Sequence, residues 1–324
     1  MKKIIFLFLT LLLTGCYSYH ELSNISLVKG ISIDIEDDNY VLNYVTNDNK
    51  ILEGKGKSIA EAVKNIASEK NLYIGHITTC IIGESAAKKG LNKIIDFFLR
   101  SPSSKKTFEL MITKDKAKDI LNKHSPNNNS YLVDRTLLSF IKDIKDEGIE
   151  PTINGINKEA KIDNIALFKD DKFIKWKNDE INELALLLNQ SKYETNIITK
   201  NGNISFKMND IKIKKSFNDT FTYEIVGKTT IDEMTSNYDL TNSEDIKSLE
   251  KILIDSLKTK LDKIIYDLKK DNLDYLGIGN YIYKNNYNKW LKIKDNYLSK
   301  IDVKFEIKPN LLKEENRNKG INNE

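Results

Sequence analysis

Only one stretch of this chain is apolar without real interruption, and it is too short to span a membrane. Residues 4–13 contain one polar side chain, Thr10, and follow Lys2 and Lys3. Ten residues at ~1.5 Å rise cover about half of a ~30 Å hydrocarbon core. A positive start, a short apolar core and small residues before a cut site make a secretory signal peptide, which assigns residues 1–15 to export. No later apolar run approaches spanning length. Everything after the signal is therefore expected to be soluble and to bury its apolar side chains in packed layers of helix and sheet.

Cys16 specifies the kind of signal. Leu13-Thr14-Gly15-Cys16 resembles the lipobox of bacterial lipoproteins: an apolar residue three before the cysteine, then small residues that lie extended in a peptidase cleft. The resemblance implies cleavage before Cys16 and a diacylglycerol on its sulfur. Two acyl chains hold a protein stably on a bilayer where one does so only marginally. An ordinary signal peptide with an incidental cysteine would leave that agreement of position and spacing unexplained. With Cys16 lipidated, the second cysteine, Cys80, has no partner in the chain, so stability has to come from core packing.

The remaining sequence alternates between β-type and helix-type patterning. Residues 27–35 and 40–46 read as a hairpin around Glu36-Asp37-Asp38-Asn39. Ser58 and Glu61 form a capping-box pattern ahead of a helix with apolar residues at 59, 62, 63, 66 and 67. A short buried strand is expected over 77–82. A helix follows, with Leu91, Ile94, Ile95, Phe98 and Leu99 on one face, then a strand through Phe108, Leu110 and Ile112. Helices are expected near 114–123 and 131–146, then a hairpin around Asp170-Asp171 and a short helix from Asp179 to Leu188. Residues 195–232 alternate as strands, with Asn201-Gly202 as a turn. A long helix near 243–271 places residues 246, 249, 253, 257, 261, 264, 265 and 268 on one stripe. A last strand contains Ile301, Val303, Phe305 and Ile307.

These patterns predict a multi-domain α+β chain. Its sheets are mixed and largely antiparallel, packed with amphipathic helices, and the long helix lies in the C-terminal domain. The expected organisation is a signal peptide at 1–15, an N-terminal α+β region at 16–190 with a soft internal boundary near 125–130, a C-terminal α+β domain at 191–312 and a disordered tail at 313–324. There is no internal repeat.

Little in the chain points to chemistry. With 51 basic and 47 acidic residues, the formal net charge is +4, without the one-sided basic excess of a nucleic-acid binder. The three histidines, His20, His76 and His124, are far apart, and no Cys-x-x-Cys or His-x-x-x-His occurs. His76 and Cys80 are about 13 Å apart along a strand, too far to share a metal. Gly54-Lys55-Gly56-Lys57-Ser58 lacks P-loop spacing and reads as a turn into a capped helix. Gly277-Ile278-Gly279 reads as a tight turn after the long helix. No catalytic residue, cofactor site or metal site is assigned, and the chain is read as not an enzyme. Lys258, Lys260 and Lys263 fall on the expected outer face of the long helix and are candidate partner contacts.

Several segments together carry a family resemblance. Gly30-Ile31-Ser32-Ile33-Asp34, GKGKSIAEAVKNI at 54–66 and LYIGHITTCIIGESAAKKGLNKIIDFFLRSP at 72–102 resemble the N-terminal half of the Ger(x)C family, the C subunits of nutrient germinant receptors in endospores. IALFKDDKFIKW at 165–176 with its following helix, the long helix with its lead-in, and DYLGIGNYIYKNNYNKW at 274–290 match further along, in the family's order. The region 269–290 departs from the family in lacking its usual glutamine, glycine-turn phenylalanine and proline-containing approach to the tryptophan. The resemblance implies several α+β domains and a non-catalytic role. It also implies partnership with A-type and B-type membrane subunits, the latter resembling an amino-acid transporter, and an anchor on the outer face of the spore inner membrane. The competing reading is an extracytoplasmic solute-binding lipoprotein, which needs a deep cleft with convergent polar groups.

Overall fold

The computed structural model describes residues 25–67, 71–121, 123, 132–133, 135–188 and 190–312. Cys16, the signal segment 1–15, His20, His124, the 125–130 boundary and the tail 313–324 lie outside the described residues.

The first sheet grows from a hairpin. β1 (Ile25–Glu36) and β2 (Asn39–Thr46) pair antiparallel. Asp37 and Asp38 between them both have positive φ, 47° and 60°. That is the mirror-image turn whose twist matches the flanking strands. β3 (Ile51–Gly56) extends the hairpin and leads into α1 (Ile59–Ala67). Ser58 accepts the Glu61 N–H at 3.2 Å, and the Glu61 carboxylate accepts the Lys57 N–H at 2.8 Å, so the cap forms one residue wider than the sequence pattern implies.

The middle of this sheet is parallel. β4 (Asn71–Tyr73) and β5 (Thr79–Gly83) both pair parallel with β1. Helices α2 (Glu84–Lys89) and α3 (Asn92–Arg100) carry the chain to β6 (Glu109–Thr113), parallel to β5. Then α4 (Ala117–Leu121) and α5 (Leu137–Lys145) lead to β7 (Thr152–Ile156), parallel to β6. β8 (Ile162–Lys169) and β9 (Lys172–Lys177) close the edge antiparallel, giving the order β3-β2-β1-β5-β6-β7-β8-β9. Both faces of the parallel centre are covered, which is why its strands are apolar on both sides. Cys80, Ile82, Leu110 and Ile112 enter the larger core, while Ile81 and Met111 enter a smaller one with Ile120 and Leu121.

The C-terminal half has its own sheet. After α6 (Ile181–Leu187), β10 (Tyr193–Thr199), β11 (Gly202–Asn218) and β12 (Thr220–Met234) run as an antiparallel meander, and β13 (Asp302–Lys308) pairs parallel with β12. α7 (Ser243–Asp271) lies against it, capped by the Asn242 side chain at one end and by left-handed Asn272 at the other. Its buried residues are Ile246, Leu249, Leu253, Leu257, Leu261, Ile264, Ile265 and Leu268, the stripe read from the periodicity. Short helices α8 (Ile278–Asn285), α9 (Tyr287–Ile293) and α10 (Tyr297–Lys300) lead from α7 to β13. The α+β architecture with mixed sheets and one long C-terminal helix stands as read; the parallel centre, β3, β4, α2, β7 and α8–α10 are additions that sequence patterning did not supply, and Gly54 to Gly56 end strand β3 instead of forming a turn.

Gly54 and Gly56 serve packing. A Cβ on Gly54 would lie 2.1 Å from the Ala62 carbonyl oxygen, and one on Gly56 would lie 2.7 Å from the Ala62 nitrogen. The glycines let α1 press directly on β3, which accounts for the Gly-Lys-Gly pattern without a phosphate. Gly54→Ala should lower unfolding stability in urea by about 2 kcal/mol or more, because backbone rather than a flexible side chain must move. A variant as stable as the parent would show that α1 is not seated on these glycines.

Candidate functional site

With few chemical motifs, the most built-up part of the molecule is the seam between its two halves. Much of it comes from Asp274-Tyr275-Leu276-Gly277-Ile278-Gly279-Asn280. Gly277 takes the left-handed conformation, φ 68°, that starts α8. Asp274 then accepts the Ile278 N–H at 3.1 Å, the Gly279 N–H at 2.7 Å and the Tyr297 hydroxyl at 2.7 Å. Its side chain is buried, and burial pushes the carboxyl above its ordinary value against the pull of those donors. The same burial and the neighbouring Asp274 push the Tyr297 hydroxyl up.

The N-terminal half docks onto this knot through its backbone. The Gly148 carbonyl accepts the Asn280 N–H at 2.7 Å, and the Asp274 carbonyl accepts the Glu150 N–H at 2.8 Å. Gly148, at φ 70°, approaches so closely that a Cβ would sit 2.5 Å from the Gly279 carbonyl carbon. Only glycine fits the space and the dihedral together. Lys284 pairs with Asp146 at 2.8 Å on the rim. A polar cleft of about 480 Å³ opens beside the contact, with Glu150, Asp170, Lys294 and Tyr297 in its wall.

A second set of contacts joins β9 and α6 to the long helix. Lys177 is 6% exposed and bonds Glu180 at 2.9 Å and Asp267 at 2.6 Å. Burial alone would lower its pKa; the two carboxylates outweigh that and hold the ammonium above its ordinary value. Lys263 bonds Glu180 at 2.5 Å, and Lys260 bonds Glu183 at 2.8 Å. Glu183 is itself buried and accepts the Tyr193 hydroxyl at 2.6 Å. Lys175 pairs with Asp271.

This network changes the reading of the helix face. Lys260 and Lys263 tie the long helix to Glu183 on α6 and Glu180 just before it; of the three lysines singled out from the sequence, only Lys258 is exposed and outside any ion pair among the described residues. The other singled-out residues do not converge. Cys80 is fully buried and its thiol is pushed up by burial. His76 stands edge-on to the Tyr73 ring, 5.6 Å between centroids. Among the described residues, no group of three or more His, Cys, Asp or Glu is placed to hold a metal, and no helix is long and apolar enough to cross a membrane.

Comparison with known proteins matches the chain in two consecutive parts. Residues 18–158 match the spore germination protein N-terminal domain, and residues 163–312 match the spore germination B3/GerAC-like C-terminal model. The chain belongs to this spore germination family. Spore germination protein KC of Bacillus subtilis (strain 168) is 22% identical, covering 94% of each chain. Spore germination protein GerQC of Bacillus cereus is 23% identical over 86% of this chain and 89% of its own. The crystal structure of the GerBC protein shares the fold, with a TM-score of 0.61 at 18% identity over 91% of this chain and all of that one.

The seam makes a direct prediction. Lys177→Met leaves Asp267 outside any ion pair among the described residues and Glu180 with Lys263 alone, and should reduce unfolding stability by roughly 3 kcal/mol. Lys258→Glu should stay within about 0.5 kcal/mol of the parent. Equal effects of the two in a chemical denaturation series would show that the network is not what joins the halves.

Proposed function

We propose that this protein is the lipid-anchored, non-catalytic C subunit of a spore germinant receptor, required for nutrient-triggered germination. The observation that carries the reading is the family match itself: both family models fall in order along the chain and together reach from residue 18 to residue 312. The proposed chain is a signal segment at 1–15, an anchor at Cys16, two α+β parts dividing near residue 190 and a polar tail at 313–324. The lipobox supports diacylglycerol attachment at Cys16 and a position on the outer face of the spore inner membrane. The proposed partners are A-type and B-type membrane subunits. The family match favours this role over an independent solute-binding lipoprotein.

The anchor's contribution in this reading is proximity. Confinement to a thin layer over the bilayer raises the effective concentration of the domain near membrane partners. The decisive experiment is affinity purification of the tagged chain from spore inner membranes, alongside metabolic labelling with a palmitate analogue. The A-type and B-type subunits should co-purify with the labelled parent, and Cys16→Ala should lose both label and membrane retention. Membrane-retained protein with unmodified Cys16, or purification without either subunit, would overturn the proposal.

A further inference from the structure

A second cavity, of about 490 Å³, lies inside the seam. Both halves line it: Arg135 and Asp143 from the N-terminal half, Gln190 and Ser191 from the connection after α6, and Lys215 from β11. Its size falls in the range of small-molecule sites. Val133, Ile149, Leu187 and Leu276 supply apolar wall.

The charged groups in this cavity are incompletely compensated. Arg135 is 9% exposed. One terminal nitrogen pairs with Asp143, and the other donates to the Thr152 hydroxyl at 3.1 Å. Among the described residues, its Nε–H is buried without an acceptor. Lys215 forms no ion pair among the described residues; its ammonium sits 5.5 Å from the centre of the Tyr223 ring. Burial pushes the Lys215 pKa below its ordinary value, with only the Asp274 charge acting against it. A buried donor with no described acceptor and a desolvated cation outside any described ion pair each favour an anionic acceptor in the cavity.

The balance of these groups defines what would fit. Among the described residues of the lining, two cations and one carboxylate leave one positive charge in excess. A singly charged anion neutralises it, whereas a doubly charged phosphate ester would overshoot. The apolar wall suits a short hydrocarbon body rather than a sugar. We propose that this seam cavity binds a small monocarboxylate, its carboxylate between the Arg135 Nε–H and the Lys215 ammonium and its alkyl part against Val133, Ile149 and Leu276. Because the lining comes from both halves, an occupied site would fasten the seam. The inference goes beyond the receptor reading and does not require it.

Butanoate, butanamide and butylammonium make a matched set of acid, neutral and cation. Each is titrated calorimetrically, at constant ionic strength, into the full-length protein in detergent. Butanoate should bind and raise the melting temperature, and the amide and amine should bind at least tenfold more weakly. Lys215→Met should lose at least tenfold in butanoate affinity, Lys215→Arg should retain most of it, and Lys258→Glu should match the parent. A measurement on the parent covers the case in which Lys215→Met fails to fold: butanoate should slow reductive methylation of Lys215, read by peptide mass spectrometry, and leave Lys258 unaffected. No butanoate binding up to 10 mM on the order of weak-ligand limits, equal binding of acid and amide, or unprotected Lys215 would each overturn the proposal.

Discussion

The arrangement of the molecule depends on strand β8, which belongs to two cores at once. Successive side chains of a strand point to opposite faces. Ala166 and Phe168 therefore enter the core under the first sheet, while Ile165 and Leu167 enter the core of the C-terminal half with Leu253, Leu257 and Phe206. A one-residue slip of β8 would exchange the two sets and spoil both cores. The family models divide between residues 158 and 163, in the turn before β8. By hydrogen bonding, however, the first sheet continues to Lys177. The sequence halves and the physical layers are thus offset by a hairpin, and that hairpin holds the halves together.

The backbone contacts at Gly148 and Asp274 and the ion pairs of Lys177, Lys260 and Lys263 add to this shared wall. They lie on different elements but act on the same relationship, the position of α7 and α8 against the first sheet. Burying Lys177 is favourable only because two carboxylates meet it. In the proposed role as a receptor subunit, a scaffold built this way would present its partners with one shaped surface rather than two independently moving pieces.

Elements with a clear period were legible in the sequence. The long helix shows every one of its buried positions as a 3.6-residue stripe, and the Asp37-Asp38 and Asn201-Gly202 turns declare themselves by residue type. β7 was not legible because its strand reads Thr152-Ile153-Asn154-Gly155-Ile156. Asn154 is buried there, its amide donating to the Val133 carbonyl at 2.6 Å and its side-chain oxygen accepting the Val133 N–H at 3.0 Å. A long-range partner absorbs the polarity that looks wrong for a core strand. The helices over 278–300 hide for the same reason: tertiary packing of Ile282, Trp290 and Leu298 settles them, not local periodicity. The seam itself was half visible. Gly277-Ile278-Gly279 was recognisable as a turn, but nothing local indicates that Gly148 closes against it, or that Lys260 and Lys263 are spoken for by glutamates roughly eighty residues away.

The two halves form one cooperative unit through their shared wall. The chain carries two tryptophans, Trp176 on β9 and Trp290 on α9. Trp176→Phe and Trp290→Phe therefore give proteins that report on one half each by fluorescence. Urea unfolding followed in both, with circular dichroism alongside, measures whether the halves come apart together. Once corrected for any shift in overall stability caused by the substitution, the two fluorescence transitions should coincide with the loss of secondary structure. Separate midpoints, with one half melting while the other keeps its native signal, would contradict the account.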